Sequence, residues 1–112
     1  MLMRLPKSPS PEQMAAAYAA GLLRKEQLEH GRYYAGRCRH ARVARWHAGA
    51  DCFIHWRSKF GSRFLERIKH PVDENYFDVF LVTGATEPGD EVIPDAEFEQ
   101  FAQSIIAQQS TV

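Results

Sequence analysis

Five short runs rich in aromatic and β-branched residues, separated by only five or six residues each, constrain this chain more than any other feature. They are Arg32–Ala35, Ala41–Trp46, Cys52–Arg57, Arg63–Lys69 and Tyr76–Val82, with the period of two and the composition that strands prefer. A parallel crossover needs a dozen or more residues. Intervals this short therefore predict antiparallel neighbours. They also hold turn formers: Gly36, Ala48 to Asp51, Lys59-Phe60-Gly61-Ser62 and His70-Pro71-Val72-Asp73. The expected fold is α+β, built on an antiparallel five-strand meander that, if strongly bent, would close into a small SH3-like or OB-like barrel.

Helical signals flank the strands. Ser10-Pro11-Glu12-Gln13 joins a hydroxyl N-cap, a proline at the first helical position and a glutamine three residues after the cap, the capping-box pattern. That helix should run to Ala20 and stop at Gly21, and a second should cover Arg24 to His30 and stop at Gly31. Together they predict an N-terminal helical hairpin turning Met14, Tyr18, Leu22, Leu23 and Leu28 toward the core. At the other end Asp95 reads as a cap, and Phe98, Phe101, Ala102, Ile105 and Ile106 recur at i, i+3, i+4, i+7 and i+8, one stripe of an amphipathic helix.

The chain divides into a flexible N-terminus, 1–9, and a single domain, 10–112. The domain comprises the helical hairpin (10–31), the β-meander (32–82), an acidic loop (83–94) and the C-terminal helix (95–108). A length of 112 residues suits one domain, and a hydrophobic fraction of 45% is enough to support a core. Small domains bury a limited share of their surface, so a homodimer stays open. No stretch approaches the roughly 18 consecutive apolar residues of a membrane span, and the N-terminus lacks the charged-then-apolar order of a signal peptide. The expectation is a cytoplasmic protein with no membrane partner. Cys38 and Cys52 are too few for a disulfide framework and read as reduced thiols.

Net charge is zero, but the charges are segregated. Residues 31–70 carry ten lysines and arginines against two acids, Asp51 and Glu66; residues 71–112 carry nine acids and no lysine or arginine. Halves of opposite sign point to nucleic-acid contact or to an acidic segment with a role of its own. The basic segment is also aromatic, with Tyr33, Tyr34, Trp46, Phe53, Trp56, Phe60 and Phe64 among the arginines. Guanidinium groups can track phosphates while rings stack on bases. The same alternation suits any half-solvated sheet, and the acidic third could neutralise the basic one internally.

Metal and catalytic signals are weaker. Cys38, His40, His47, Cys52 and His55 offer zinc-type ligands within eighteen residues, but pairs spaced as Cys38-x-His40 and Cys52-x-x-His55 fit a structural zinc site poorly, and on a strand Cys52 and His55 would point to opposite faces. Asp51, Cys52 and His55 supply the residue types of a thiol nucleophile with its base, without a recognised motif. No catalytic residue, metal or cofactor is assigned. Asp78, inside an apolar run, should pair with an arginine such as Arg45, Arg57 or Arg63.

The pattern Tyr33-Tyr34-x-Gly36-x-Cys38-Arg39-x-Ala41-x-x-Ala44-x-Trp46, followed by Lys59-Phe60-Gly61, His70-Pro71-x-Asp73 and Phe77-Asp78-x-Phe80, resembles one found in small uncharacterised bacterial and phage proteins. It covers about half the chain. The resemblance implies an accessory protein of mobile genetic elements and carries no activity.

These readings lead to a non-enzymatic binding module that presents a basic, aromatic-studded sheet face to nucleic acid. Arg37, Arg39, Arg42 and Arg45 would touch phosphates, Arg57, Lys59 and Arg63 would extend the groove, and Tyr34, Trp46 or Trp56 would stack. The alternative is a protein-interaction or inhibitor module that recognises a protein partner through the acidic segment and the last helix.

Overall fold

A computed structural model describes residues 10–38, 41–73 and 80–110. The expected flexible N-terminus, 1–9, with Arg39, His40 and Asp78, lies outside the described residues. The capping box forms as read: Gln13 N–H donates to Ser10 Oγ at 3.2 Å, and Ser10 N–H donates to Gln13 Oε1 at 2.8 Å. Helix α1 (Pro11–Ala19) follows, and Gly21, at φ +117°, turns the chain out of it.

The second helix of the expected hairpin is reduced to one 3₁₀ turn, Lys25–Gln27. Leu28 is already extended, packing against the core, and Glu29 N–H donates to the Tyr34 hydroxyl at 2.7 Å rather than to a helical carbonyl. A tertiary partner outbids local helix propensity here.

Five strands form one open antiparallel sheet: β1 (Tyr33–Arg37), β2 (Val43–His47), β3 (Cys52–Lys59), β4 (Ser62–Ile68) and β5 (Leu81–Ala85), in the order β4-β3-β2-β1-β5. The meander runs through β4, and β5 returns to the far side of β1. This strand extends into the segment that reads as acidic loop, because Gly84 and Ala85 find partners in Ala35 and Tyr34. At the β1 bulge, a Cβ on Gly36 would stand 2.4 Å from the Phe80 ring, so only glycine admits that ring.

Pleating sorts the strand residues onto two faces, and both are covered. Tyr34, Ala44, Trp46, Phe53 and Ile68 pack with Ala17 and Leu22 on the α1 side. Tyr33, Cys52, Ile54, Trp56 and Leu65 pack on the other side with Phe98, Ala102 and Ile105 of α2 (Asp95–Ser110). The apolar stripe of α2 is thus realised as a second core layer. Asp95 is its first residue rather than its cap: Phe98 N–H bonds to Pro94 O at 2.9 Å, which leaves the Asp95 carboxylate available to Arg45. No helix among the described residues is long and apolar enough to cross a membrane.

Alternating strand direction gives the sheet two distinct ends. The β2–β3 turn, Ala48 to Asp51, stands at one end; the β3–β4 turn and the β1–β2 connection share the other.

Candidate nucleic-acid interface

The sheet face expected to meet nucleic acid is not open. Tyr34 and Trp46 are only 2% and 3% exposed, with Trp46 edge-on to Phe53 at 4.9 Å between ring centroids. Neither ring can stack on a base without leaving the core. Trp56 is half-buried: its Nε1–H donates to Val92 O at 2.9 Å, and the Arg63 guanidinium lies 4.8 Å from its ring centroid. Both faces are covered by helices from opposite ends of the chain, so alternating arginine and aromatic residues here mark a double-sided core.

Arg45 is wholly committed to structure. Its Nε donates to Gly31 O (2.8 Å), Nη1 to Ile93 O (2.9 Å) and Nη2 to Asp95 Oδ1 (2.7 Å), while the guanidinium lies 4.2 Å from the Phe98 centroid. With a side chain 13% exposed, it holds the start of α2 against β1 and β2 rather than facing a phosphate. Tyr33 supports the same junction, its hydroxyl accepting from Ile93 N–H at 2.8 Å.

Arg57 pairs with Glu66 at 2.6 Å, and Glu66 also meets Nε2 of the buried His55 at 3.1 Å. Burial alone would raise the Glu66 pKa, but the hydrogen bonds from Arg57 and His55 outweigh it and hold the carboxyl below its usual range. Arg32 is taken by Glu29. Arg63 pairs with Glu91 at 3.1 Å, both side chains more than two-fifths exposed, and an exposed pair of this kind contributes only about 0–1 kcal/mol. It can exchange its carboxylate for a phosphate. Arg37, Arg42 and Lys59 are exposed and have no carboxylate partner among the described residues.

Those three cations stand at one end of the sheet, with the β3–β4 arm. β3 and β4 are longer than β2, and the turn joining them has only two residues, Phe60 and Gly61, between the paired Lys59 and Ser62. Both turn residues have positive φ, +52° and +79°, the signature of a type I′ turn whose twist matches the flanking strands. Phe60 is 96% exposed. Its ring centroid lies 5.5 Å from the Lys59 ammonium. Phe64, 40% exposed, sits opposite Arg57 on the face that also carries Lys59. The sequence places both rings in the basic segment and Lys59 to Ser62 in a turn; the signal that would single out Phe60, an aromatic at a hairpin position that favours Asn, Asp or Gly, went unused.

The other end of the sheet gathers His30, His47 and Glu99. His47 Nε2 lies 3.1 Å from one Glu99 oxygen, and His30 Nε2 lies 3.4 Å from the other. Two imidazoles and a carboxylate this close could hold a metal ion by residue type alone. Protonation opposes it. Each Nδ1 accepts a backbone N–H, from Ala48 at His30 (3.1 Å) and from Ala50 at His47 (3.0 Å), so the ring proton of the neutral imidazole resides on Nε2. An Nε2-bound metal needs the opposite tautomer, with Nδ1–H donating outward. The cluster is a carboxylate clamp joining α2 to β2 and to the loop before β1. Hydrogen bonding from His47 is the leading reason the Glu99 carboxyl is held below its usual range.

Cys52 and His55 occupy opposite faces of β3, as the period of two predicts, and burial pushes the Cys52 thiol up to about 11. Asp51 is paired with Lys25 at 3.0 Å. These three residues do not assemble into a nucleophilic site. An open groove of about 460 Å³ lies between Arg32, Tyr33 and the Thr86-Glu87-Pro88 segment, but its one cation is already bound to Glu29. Compared with known proteins, the chain matches no family model, no curated protein and no solved structure.

Proposed function

We propose that this chain is a non-enzymatic nucleic-acid-binding module that grips its ligand with the β3–β4 arm and the adjoining strand ends, rather than with a sheet face. The observation that carries this reading is Phe60. A left-handed backbone costs an L-residue about 1–2 kcal/mol, and leaving a phenylalanine ring in water forgoes roughly 1.5–3 kcal/mol of burial. Asn or Gly at that position would remove the backbone cost and forfeit no burial. A residue that weakens the fold while sitting at its outermost point is where a ligand contact is to be sought.

The charges around it favour an anionic ligand. Lys59 adjoins the ring, and Arg42 and Arg37 continue the line across the ends of β2 and β1, while Arg63, opposite Ser58, adds a cation with an exchangeable partner on the other face of the arm. Neighbouring strands are about 4.8 Å apart, so this row spans on the order of 10 Å from β3 to β1, suited to a short run of phosphates.

Titration of a labelled oligonucleotide across a salt series tests the reading. Affinity is expected to fall steeply with salt as counterions are released. Lys59→Gln or Arg42→Gln should each lower the log–log salt slope by about 1. Absence of binding at low salt would end the proposal.

A further inference from the structure

Building on that reading, we infer that the arm takes single-stranded rather than duplex nucleic acid, with Phe60 stacking on an unpaired base and Lys59 holding a phosphate beside it. The geometry of the arm favours this ligand in three ways. Phe60 has no hydrogen-bonding group, so it can read only the flat face of a base, and every base has one. In a duplex those faces are covered by neighbouring pairs, and opening a step costs about as much as a single stack returns. An unpaired base carries no such cost.

The arm also holds a second ring at the right place. Arg57↔Phe64 and Lys59↔Ser62 are successive same-face pairs of the β3–β4 ladder, so Lys59 stands diagonal to Phe64. The Lys59 ammonium, 5.5 Å from the Phe60 centroid, therefore belongs to a residue flanked by two exposed rings, with Phe60 next in the chain and Phe64 across the strand. Ring, cation, ring is the order in which a single strand presents base, phosphate, base. Finally, neither sheet face is available as a broad platform, since both are covered by core. That limits the footprint to a short unpaired segment such as a loop or an end.

The test uses the full chain and two probes of one sequence, a single-stranded decamer with a central 2-aminopurine and the same strand annealed to its complement. The expected result is single-strand binding at least about tenfold tighter than duplex binding at low salt, with quenching of the 2-aminopurine by the bound ring. Phe60→Leu keeps an apolar side chain and removes the π-face, and should weaken single-strand binding about five- to a hundredfold while leaving residual duplex binding unchanged. Equal affinity for the two probes, or a Phe60→Leu protein that binds and quenches like the parent, would overturn the stacking inference and leave the nucleic-acid reading standing. If neither probe binds, both fall together. The Phe60→Asn protein, whose turn is more favourable, controls for folding: if it too loses single-strand affinity while its melting temperature rises, loss of the ring rather than of the arm is responsible.

Discussion

The two ends of the sheet handle their charges in opposite ways. Around the β2–β3 turn, Lys25 is bound to Asp51, and Glu99 is shared by His30 and His47, whose other nitrogens are bound to backbone N–H groups. Around the β3–β4 turn, Lys59, Arg42 and Arg37 have no carboxylate among the described residues. The left-handed positions differ likewise. Asp51, at φ +56°, is a residue type that tolerates such a backbone, whereas Phe60, at +52°, is one that does not. Charge and strain at the first end mostly serve packing, although Arg67 and Lys69 near Cys52 have no carboxylate among the described residues; at the second, Lys59, Arg42, Arg37 and the left-handed Phe60 have no such role there. That difference directs a ligand search to the arm.

Substitutions can break the comparison, and the largest effects should come from residues that look like ligand contacts and are core. Trp46→Ala should cost about 3–5 kcal/mol through the cavity it leaves, read as a lower denaturant midpoint. The protein that remains folded should bind oligonucleotide as before. Next comes Arg45→Ala, which strips Gly31 O of its side-chain donor and leaves Ile93 O with the Tyr33 hydroxyl alone, and should cost about 2–4 kcal/mol with α2 loosened, visible in hydrogen exchange. Arg45→Lys should recover little, since one ammonium cannot span three acceptors arranged for a guanidinium.

Acid should act on the packed elements before the arm. Glu66 and Glu99 both have folded-state pKa values below the ordinary carboxyl value of 4.5. Their contribution to stability is therefore fully present above the unfolded value and is lost as pH falls through the lowered one. The melting temperature should hold level down to about pH 5 and decline below it. In Glu99→Gln the decline should be shallower, and an unchanged acid profile in that variant would refute the clamp. Smallest is Phe60→Asn, which should stabilise the protein by about 1 kcal/mol by relieving the left-handed strain. If it destabilises instead, Phe60 is a packing residue after all and the contrast between the two ends fails.

Much of the fold was legible because its determinants are close neighbours. Ser10 and Gln13 form their box across three residues, Gly21 and Gly31 take positive φ where the helical runs were expected to stop, and the spacing of Phe98, Ala102 and Ile105 was enough to give the buried side of α2. The candidate interface was less legible. Tyr34 and Trp46 alternate with arginines as they would on a one-sided sheet, and only α1 and α2, from opposite ends of the chain, reveal that both sides are filled. The short 3₁₀ turn at Lys25–Gln27 has the same origin, since Tyr34 claims the Glu29 N–H that a second helix would have used.

Read on its own, the chain determined where the first four strands, their turns and the helices α1 and α2 lie, because capping, pleat alternation and turn chemistry act over a few residues; the second helix and the end of β5 depended on tertiary partners. Which cations remain unpaired among the described residues was decided by tertiary structure alone. Arg45 meets Asp95 across fifty positions and Arg63 meets Glu91 across twenty-eight, and such pairings depend on how layers stack. The same stacking leaves Phe60 beyond the reach of either core, on a turn too short to fold its ring back.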